Sequence, residues 1–232
     1  MSQLDLSARS GVTARHVSFV ETGRAQPSRQ LLDRLADALD IPLRDRNDLF
    51  LAAGFAAPYR ALGLDDDELA VVTGAIDRIL AGHEPFPAVV MDRHWNLLRT
   101  NHGADQLFGA MLDLSAVDPP ANVLELLLSD RHLRPHVANW SRLAPALVAR
   151  ARREAVGGVP DARLSSLIGR FEAQLREQGI AAAPSYPGPV VDVAFIVEGT
   201  VRRYFSTITT LGTATDITLQ EIRIELFHPH DG

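Results

Sequence analysis

The residues best suited to recognising another molecule lie early in the chain, just after Gly11: Thr13, Ala14, Arg15 and Ser18. Their spacing places them on the outward side of a single helix. An arginine in such a position can donate two hydrogen bonds to a guanine edge, and hydroxyl groups can contact several bases. We therefore predict a helix that contacts DNA bases. Phosphate contacts are assigned to three further polar side chains, Gln3, His16 and Arg24.

Short helices separated by turn signals position these residues. Ser2 can cap a helix that runs to about Ser10, after which Gly11 can take a left-handed turn at little cost. Thr13 can cap a second helix that ends near Gly23. Further helices are predicted after Pro27-Ser28 and after Pro42. Residues 1–59 are therefore predicted to form an all-α domain.

The stretch SQLDLSARSGVTARHVSFVETGRAQPS resembles the helix-turn-helix of XRE-type, phage-repressor-like regulators. The apolar residues that such a motif needs in its interior are Leu6, Val12, Val17 and Val20. The resemblance implies binding to double-stranded DNA. A helical dimerisation or packing module that uses the same turn is the alternative.

XRE-type domains usually have five helices, and the first of them packs across the second and third. No residues precede Ser2 that could build this first helix, apart from Met1. We therefore expect Leu4, Leu6 and Val20 to lose cover. The hypothesis is that the first helix is missing and that the native product extends upstream.

Composition excludes several classes of protein. Of the 232 residues 46% are hydrophobic, and cysteine is absent, which excludes disulfides, thiolate nucleophiles and cysteine-rich zinc sites. No run of 18 apolar residues and no signal peptide is visible, so we expect a cytoplasmic protein with no membrane partner.

The charge is unevenly distributed along the chain. The net charge is −6, and because lysine is absent all 23 basic residues are arginines. Residues 1–60 carry eight arginines and seven acids, a net charge of +1, whereas the remainder carries 15 arginines and 22 acids, a net charge of −7. DNA contact is therefore expected from placed arginines of the first part, with the acidic part facing away.

The second part, residues 60–232, has a mixed pattern. An amphipathic helix is predicted near residues 65–82, and two short strands follow in FPAVVMD and WNLLRTN. Helical patterns extend from Ala104 to about Gln178, broken at Gly157-Gly158 and Pro160, and the loop PSYPGP leads to three more strands. This order predicts an α+β fold in which helices cover a five-stranded antiparallel sheet.

Three segments of this part resemble the ligand-binding domain of MmyB-like transcription regulators: FPAVVMDRHWNLLRTN, LRPHVANWSRLAPALVARARREA and FSTITTLGTATDITLQEIRIELFHP. The resemblance implies a PAS-like domain that encloses an apolar pocket for a fatty-acid-like molecule, with no other cofactor.

A pocket of this kind needs apolar walls and a few polar groups. The candidate wall residues are Trp95, Phe108, Trp140, Phe195 and Phe205. The candidate polar contacts are His136, Tyr204 and Thr207. Each of the eight can instead be an ordinary core or strand residue, and Asn101 is interpreted as a helix N-cap rather than a ligand contact.

Other chemistry has little support in the sequence. His132 and His136 have the spacing of zinc ligands, but no HExxH glutamate lies between them and Pro135 disfavours a helix there. No nucleophile-elbow, P-loop or dinucleotide-binding motif is present, so neither a metal site nor an enzyme is predicted.

The predicted function is a homodimeric transcription regulator that senses a small apolar ligand. Dimerisation is expected because paired half-sites require paired DNA-binding heads, whose spacing the helix at residues 65–82 can alter. Two alternatives stay open: a ligand-free dimerisation and partner-binding module, or an enzyme on a PAS-like scaffold.

Overall fold

The computed structural model describes residues 1–155, 162–181 and 190–230, which form two compact units. The α-helices are α1 (Gln3–Ser10), α2 (Ala14–Glu21), α3 (Arg29–Ala38), α4 (Leu43–Ala52), α5 (Ala70–Gly82), α6 (His102–Gly109), α7 (Val123–Leu128), α8 (Trp140–Ala155), α9 (Ala162–Glu177) and α10 (Ile217–Glu221). The strands are β1 (Ala88–Met91), β2 (Leu97–Thr100), β3 (Val193–Val197), β4 (Thr200–Thr209) and β5 (Arg223–Pro229). None of the described helices is long and apolar enough to cross a membrane.

The first unit begins with two capped helices joined by a glycine turn. The Ser2 hydroxyl accepts a hydrogen bond from the Asp5 N–H while the Asp5 carboxylate accepts from the Ser2 N–H, a reciprocal cap at the start of α1. Gly11 ends α1 with a φ of 66°, and the Thr13 side chain caps α2. The predicted helix, turn and second helix are therefore present.

A small apolar core holds these helices to α3. It consists of Leu6, Val12, Val17, Leu31, Leu35 and Ala38, with Val20 packed against it. The expectation that Leu6 loses cover is therefore wrong, because its side chain is buried against this core, whereas Leu4 is 74% exposed.

Residues 213–220 also belong to the first unit, together with Met1–Leu62. The Leu43 N–H at the start of α4 donates to Gln220 Oε1 over 2.7 Å, and it needs this acceptor because the preceding Pro42 provides no side-chain cap. The Leu62 N–H donates to Asp216 Oδ2 over 3.1 Å. Asp216 and Gln220 lie far beyond residue 59 in sequence, and a single boundary at 59/60 does not account for a later segment that folds with the first unit. The boundary itself remains a prediction.

The second unit is built on the predicted five-stranded antiparallel sheet. Its strand order is β2-β1-β5-β4-β3, and every neighbouring pair is antiparallel. The two early strands therefore pair at one edge with the last strand of the chain, which lies at the centre of the sheet. The predicted α+β fold is confirmed.

Helices α6 to α9 supply the other side of the large apolar core. Residues of α6, α7, α8 and α9 are buried in one cluster with Val89 and Met91 of β1 and with Phe227 of β5. Val89 and Met91 are two residues apart, as the alternation of a strand requires for side chains on one face. This core surrounds the cavity described below.

Several local expectations can be compared directly. The Asn101 side chain accepts a hydrogen bond from the Ala104 N–H, so its role as an N-cap is confirmed. His136 ends a short 3-10 helix, Arg134–His136, which agrees with the expectation that Pro135 prevents a regular helix. Gly157-Gly158, Pro160 and the loop PSYPGP lie outside the described residues.

Replacing Gln220 by Ala is expected to lower the free energy of unfolding by about 1 kcal/mol, because the Leu43 N–H then loses its acceptor. Urea denaturation followed by circular dichroism measures this change. The matched control is Gln30→Ala on the exposed side of α3, for which a change within about 0.5 kcal/mol is expected. Equal destabilisation by the two substitutions would contradict the capping role of Gln220.

Candidate DNA-reading helix and ligand cavity

Helix α2 presents the predicted base-contacting residues at the surface of the first unit. Thr13, Arg15 and His16 are exposed, and Ala14 and Ser18 are half-buried. The Arg15 guanidinium lies 5.2 Å from the centre of the Phe19 ring, a cation–π arrangement that holds the side chain along the helix. The surface of α2 therefore combines one oriented cation with small and hydroxyl side chains.

Gln3 and Glu21 connect the two helices of the motif. Gln3 Nε2 donates to Glu21 Oε2 over 2.6 Å, so the amide predicted to contact phosphate is engaged with a carboxylate in this structure. The Gln3 amide nitrogen carries two N–H donors, and Glu21 accepts from one of them. A phosphate contact would use the other donor, and Arg24 is exposed near the end of α2.

A cavity of about 280 Å³ lies inside the second unit. Its walls are formed by residues of all five strands of the sheet and by helices α6, α7 and α8. Three of the predicted ligand contacts line it, Trp95, Phe108 and Phe195. The Phe108 ring meets the Phe195 and Phe227 rings edge to face, with centres 6.0 and 6.5 Å apart.

Trp95 has an unusual backbone conformation for a cavity wall. Its φ is 69°, in the left-handed region that a bulky residue enters only at a cost in energy. Strain of this kind persists where the surroundings over-determine it, and it is concentrated at functional sites. Trp95 is thus a strained residue in the wall of the cavity.

The other five predicted contacts do not line this cavity. Phe205 and Thr207 lie on the opposite face of β4, where the Phe205 ring stacks on His228 with centres 5.0 Å apart and Thr207 Oγ1 lies 3.0 Å from His228 Nε2. Residues 206 and 208 of the same strand face the cavity instead. The reason is the two-residue period of a strand, which puts alternate side chains on opposite faces.

Tyr204, Trp140 and His136 have other surroundings. Tyr204 is buried in the core and lines a second, smaller cavity with Arg202. Trp140 Nε1 donates to Gln178 Oε1 over 2.9 Å, and its ring packs on Phe171 outside the cavity wall. His136 is half-buried in its 3-10 helix, and no group of three or more metal-binding side chains occurs in the described part of the chain.

The main polar feature of the cavity wall is an ion pair between α8 and β5. Arg150 Nη1 donates to both carboxylate oxygens of Glu225, over 3.0 and 3.1 Å, and Arg150 Nε donates to Glu154 over 3.0 Å. The exposed fractions of the Arg150 and Glu225 side chains are 16% and 9%. Burial acts to lower the pKa of Arg150, but Glu225 and then Glu154 outweigh it and raise that pKa above its usual value.

Sequence reasoning missed this ion pair. Arg150 is one of several arginines on α8, and Glu225 looks like an ordinary alternating residue of the last strand. The one sequence signal for a buried Glu225 is strand periodicity. Glu225 lies two positions before Phe227 and therefore shares the buried face of the strand. Ser206 donates a hydrogen bond from its hydroxyl to Glu225 Oε1 over 2.5 Å. Sequence reasoning missed Ser206 too, because it also looks like an ordinary strand residue.

Models of known protein families match two segments of the chain. Residues 72–232 match the model of the MmyB-like transcription regulator ligand binding domain. The chain belongs to this family. Residues 1–45 match the helix-turn-helix model, so the chain combines a helix-turn-helix segment with an MmyB-like transcription regulator ligand binding domain.

Comparisons with individual proteins are less informative than the MmyB-like match. No curated protein matches the chain significantly. Solved structures that are similar include a chain of the E. coli DhaR(N)-DhaL complex (16% identity, TM-score 0.30, 88% of this chain and 46% of that chain covered) and an RNA-binding Light-Oxygen-Voltage receptor (13% identity, TM-score 0.31, 98% and 52% covered). The chain thus spans about half the length of these structures.

Replacing Glu225 by Ala is expected to lower the free energy of unfolding of the MmyB-like domain by about 3 kcal/mol, because it leaves a buried guanidinium with one carboxylate fewer. The matched control is Asp65→Ala, which removes a carboxylate from an ion pair with Arg99 in which Asp65 is 94% exposed. Asp65→Ala is expected to lower the free energy of unfolding by less than about 1 kcal/mol. Urea denaturation of both variants measures the difference, and similar losses would show that the Arg150–Glu225 pair contributes no more than a surface pair.

Proposed function

We propose that this regulator is a cytoplasmic homodimer whose MmyB-like domain, on a PAS-like scaffold, binds a small apolar, fatty-acid-like ligand that alters DNA binding by α2. The cavity in the second unit is the observation that carries the proposal. Its volume of about 280 Å³ is close to the lower end of the range of about 300–1,000 Å³ that is usual for ligand pockets.

The apolar lining of the cavity favours an apolar ligand. Most of the lining side chains are aliphatic or aromatic, among them Val89, Leu126 and Phe227. Covering apolar surface contributes about 25 cal/mol per Å² of area removed from water. A ligand that covers these side chains with apolar atoms is therefore stabilised in the cavity.

A path from the cavity to the first unit follows the covalent chain. Ser206 of β4 and Glu225 of β5 line the cavity, and the connection between these strands, residues 213–220, folds with the first unit. Gln220 in this connection caps α4. A ligand that is bound unequally by two arrangements of β4 and β5 therefore changes the position of residues that support the DNA-binding helices.

Arg15→Ala is expected to weaken binding to a selected DNA duplex by 10-fold or more, since a bidentate arginine contact to guanine is worth about 1–3 kcal/mol. The duplex is first selected from a random pool with the full chain, and affinities are then measured by fluorescence anisotropy at several salt concentrations. Arg24→Ala is expected to weaken binding to all sequences and to reduce the salt slope by about 1.

The matched control for both variants is Arg176→Ala, which removes an exposed arginine from α9 in the second unit. Its affinity and salt slope are expected to equal those of the native chain. Unchanged binding by Arg15→Ala and Arg24→Ala would contradict the assignment of α2 as the DNA-reading helix and support the helical packing module.

Val123→Phe is expected to reduce the amount of bound apolar ligand at least 10-fold, because Val123 lines the cavity and a larger ring occupies part of its volume. Native mass spectrometry of the purified chain, with and without added decanoate, measures occupancy. Val71→Phe makes the same change at an exposed position of α5 and is expected to leave occupancy unchanged.

Two results would contradict the ligand proposal. The absence of any bound apolar molecule from native chain and variants supports the ligand-free dimerisation module instead. Equal occupancy in Val123→Phe and the native chain would place the ligand outside the cavity.

A further inference from the structure

The apolar cavity contains one polar site, and its charge determines which ligand group fits there. The site consists of Arg150, Glu225 and Ser206, all of which line the cavity. Hydrocarbon placed against them would leave polar groups desolvated without new hydrogen bonds, which is unfavourable. A ligand that fills the cavity therefore needs a polar group at this position.

The guanidinium of Arg150 is already neutralised by protein carboxylates. Glu225 accepts two hydrogen bonds from Nη1, and Glu154 accepts one from Nε. A ligand carboxylate hydrogen-bonded to Arg150 would be the third negative charge in contact with this one guanidinium, which is largely buried. The site therefore disfavours an anionic group.

Two buried N–H groups near the site lack an acceptor. Among the described residues, Arg150 Nη2 and Trp95 Nε1 have no hydrogen-bond partner. The guanidinium carbon of Arg150 lies 4.4 Å from the centre of the Trp95 ring, so the two residues form one stacked unit. Unsatisfied buried donors destabilise a protein, and an oxygen acceptor brought by a ligand removes that penalty.

We propose that the ligand carries a neutral hydrogen-bond acceptor, a carbonyl or hydroxyl oxygen, on an apolar chain, and that this oxygen binds at Arg150 and Trp95. This inference rests on the proposed ligand-binding function and narrows the ligand class. An acyl ester, amide or ketone fits the site better than the free acid.

Arg153 provides a different place for an acid. It lines the cavity, and it is exposed to solvent. It lies three residues after Arg150, and hence on the same side of α8. A free carboxylate is therefore expected at Arg153, in contact with solvent, and not at Arg150.

The test compares two probes of equal chain length, methyl decanoate and decanoate, by isothermal titration calorimetry with the full chain at pH 8. At this pH the acid is ionised, because carboxyl groups have pKa values near 4. Methyl decanoate is expected to bind at least 10-fold more tightly. In Trp95→Phe, which keeps an aromatic ring and removes Nε1, the ratio of ester affinity to acid affinity is expected to fall at least threefold.

Glu225→Gln separates a charge effect from a packing effect. The substitution removes one negative charge at nearly constant shape, so the ratio of ester affinity to acid affinity is expected to fall at least 10-fold. The matched control is Glu172→Gln, since Glu172 pairs with Arg152 and does not line the cavity. Arg153→Gln is expected to weaken the binding of decanoate only.

The possible outcomes distinguish this inference from the function on which it rests. Decanoate that binds as tightly as the ester, or a ratio that is unchanged in Glu225→Gln, would overturn the inference and leave the apolar-ligand proposal intact. If neither probe binds the native chain, both the inference and the apolar-ligand proposal fail.

Discussion

The buried ion pair between Arg150 and Glu225 is the interaction on which the arrangement of the second unit depends. Arg150 belongs to α8 and Glu225 to the central strand β5, so the pair joins the helical layer to the middle of the sheet. Neither charge can be buried alone without a large penalty. The pair therefore ties α8 to β5 next to the apolar side chains that line the cavity.

The surroundings of the ion pair explain how a charge is tolerated in an apolar wall. The indole of Trp95 covers one face of the guanidinium, and Ser206 donates to the carboxylate. A stacked aromatic face and a charge-assisted hydrogen bond each replace some of the lost hydration. Arg150 Nη2 and Trp95 Nε1 still lack an acceptor among the described residues. The protein therefore replaces the lost hydration only in part. The same set of residues thus joins α8 to the sheet and forms the polar part of the cavity wall.

Local signals explain which parts of the fold were predictable. Ser2, Gly11 and Thr13 define the ends of α1 and α2 through backbone chemistry that operates within a few residues, and the apolar alternation of the strands gives the sheet. The cavity wall was harder to predict. Phe205 and Thr207 were proposed and Ser206 was not, because a strand pattern does not reveal which of its two faces is turned to the helices.

Contacts between distant parts of the chain could not be predicted from the sequence. Arg150 and Glu225 are separated by 75 residues, and Leu43 and Gln220 by 177. No periodicity within a helix or strand contains information about such partners. Residues 213–220 fold with the first unit although they connect two strands of the second, so neither unit is a single continuous segment of the chain. Both strands that this connection joins, β4 and β5, carry cavity residues.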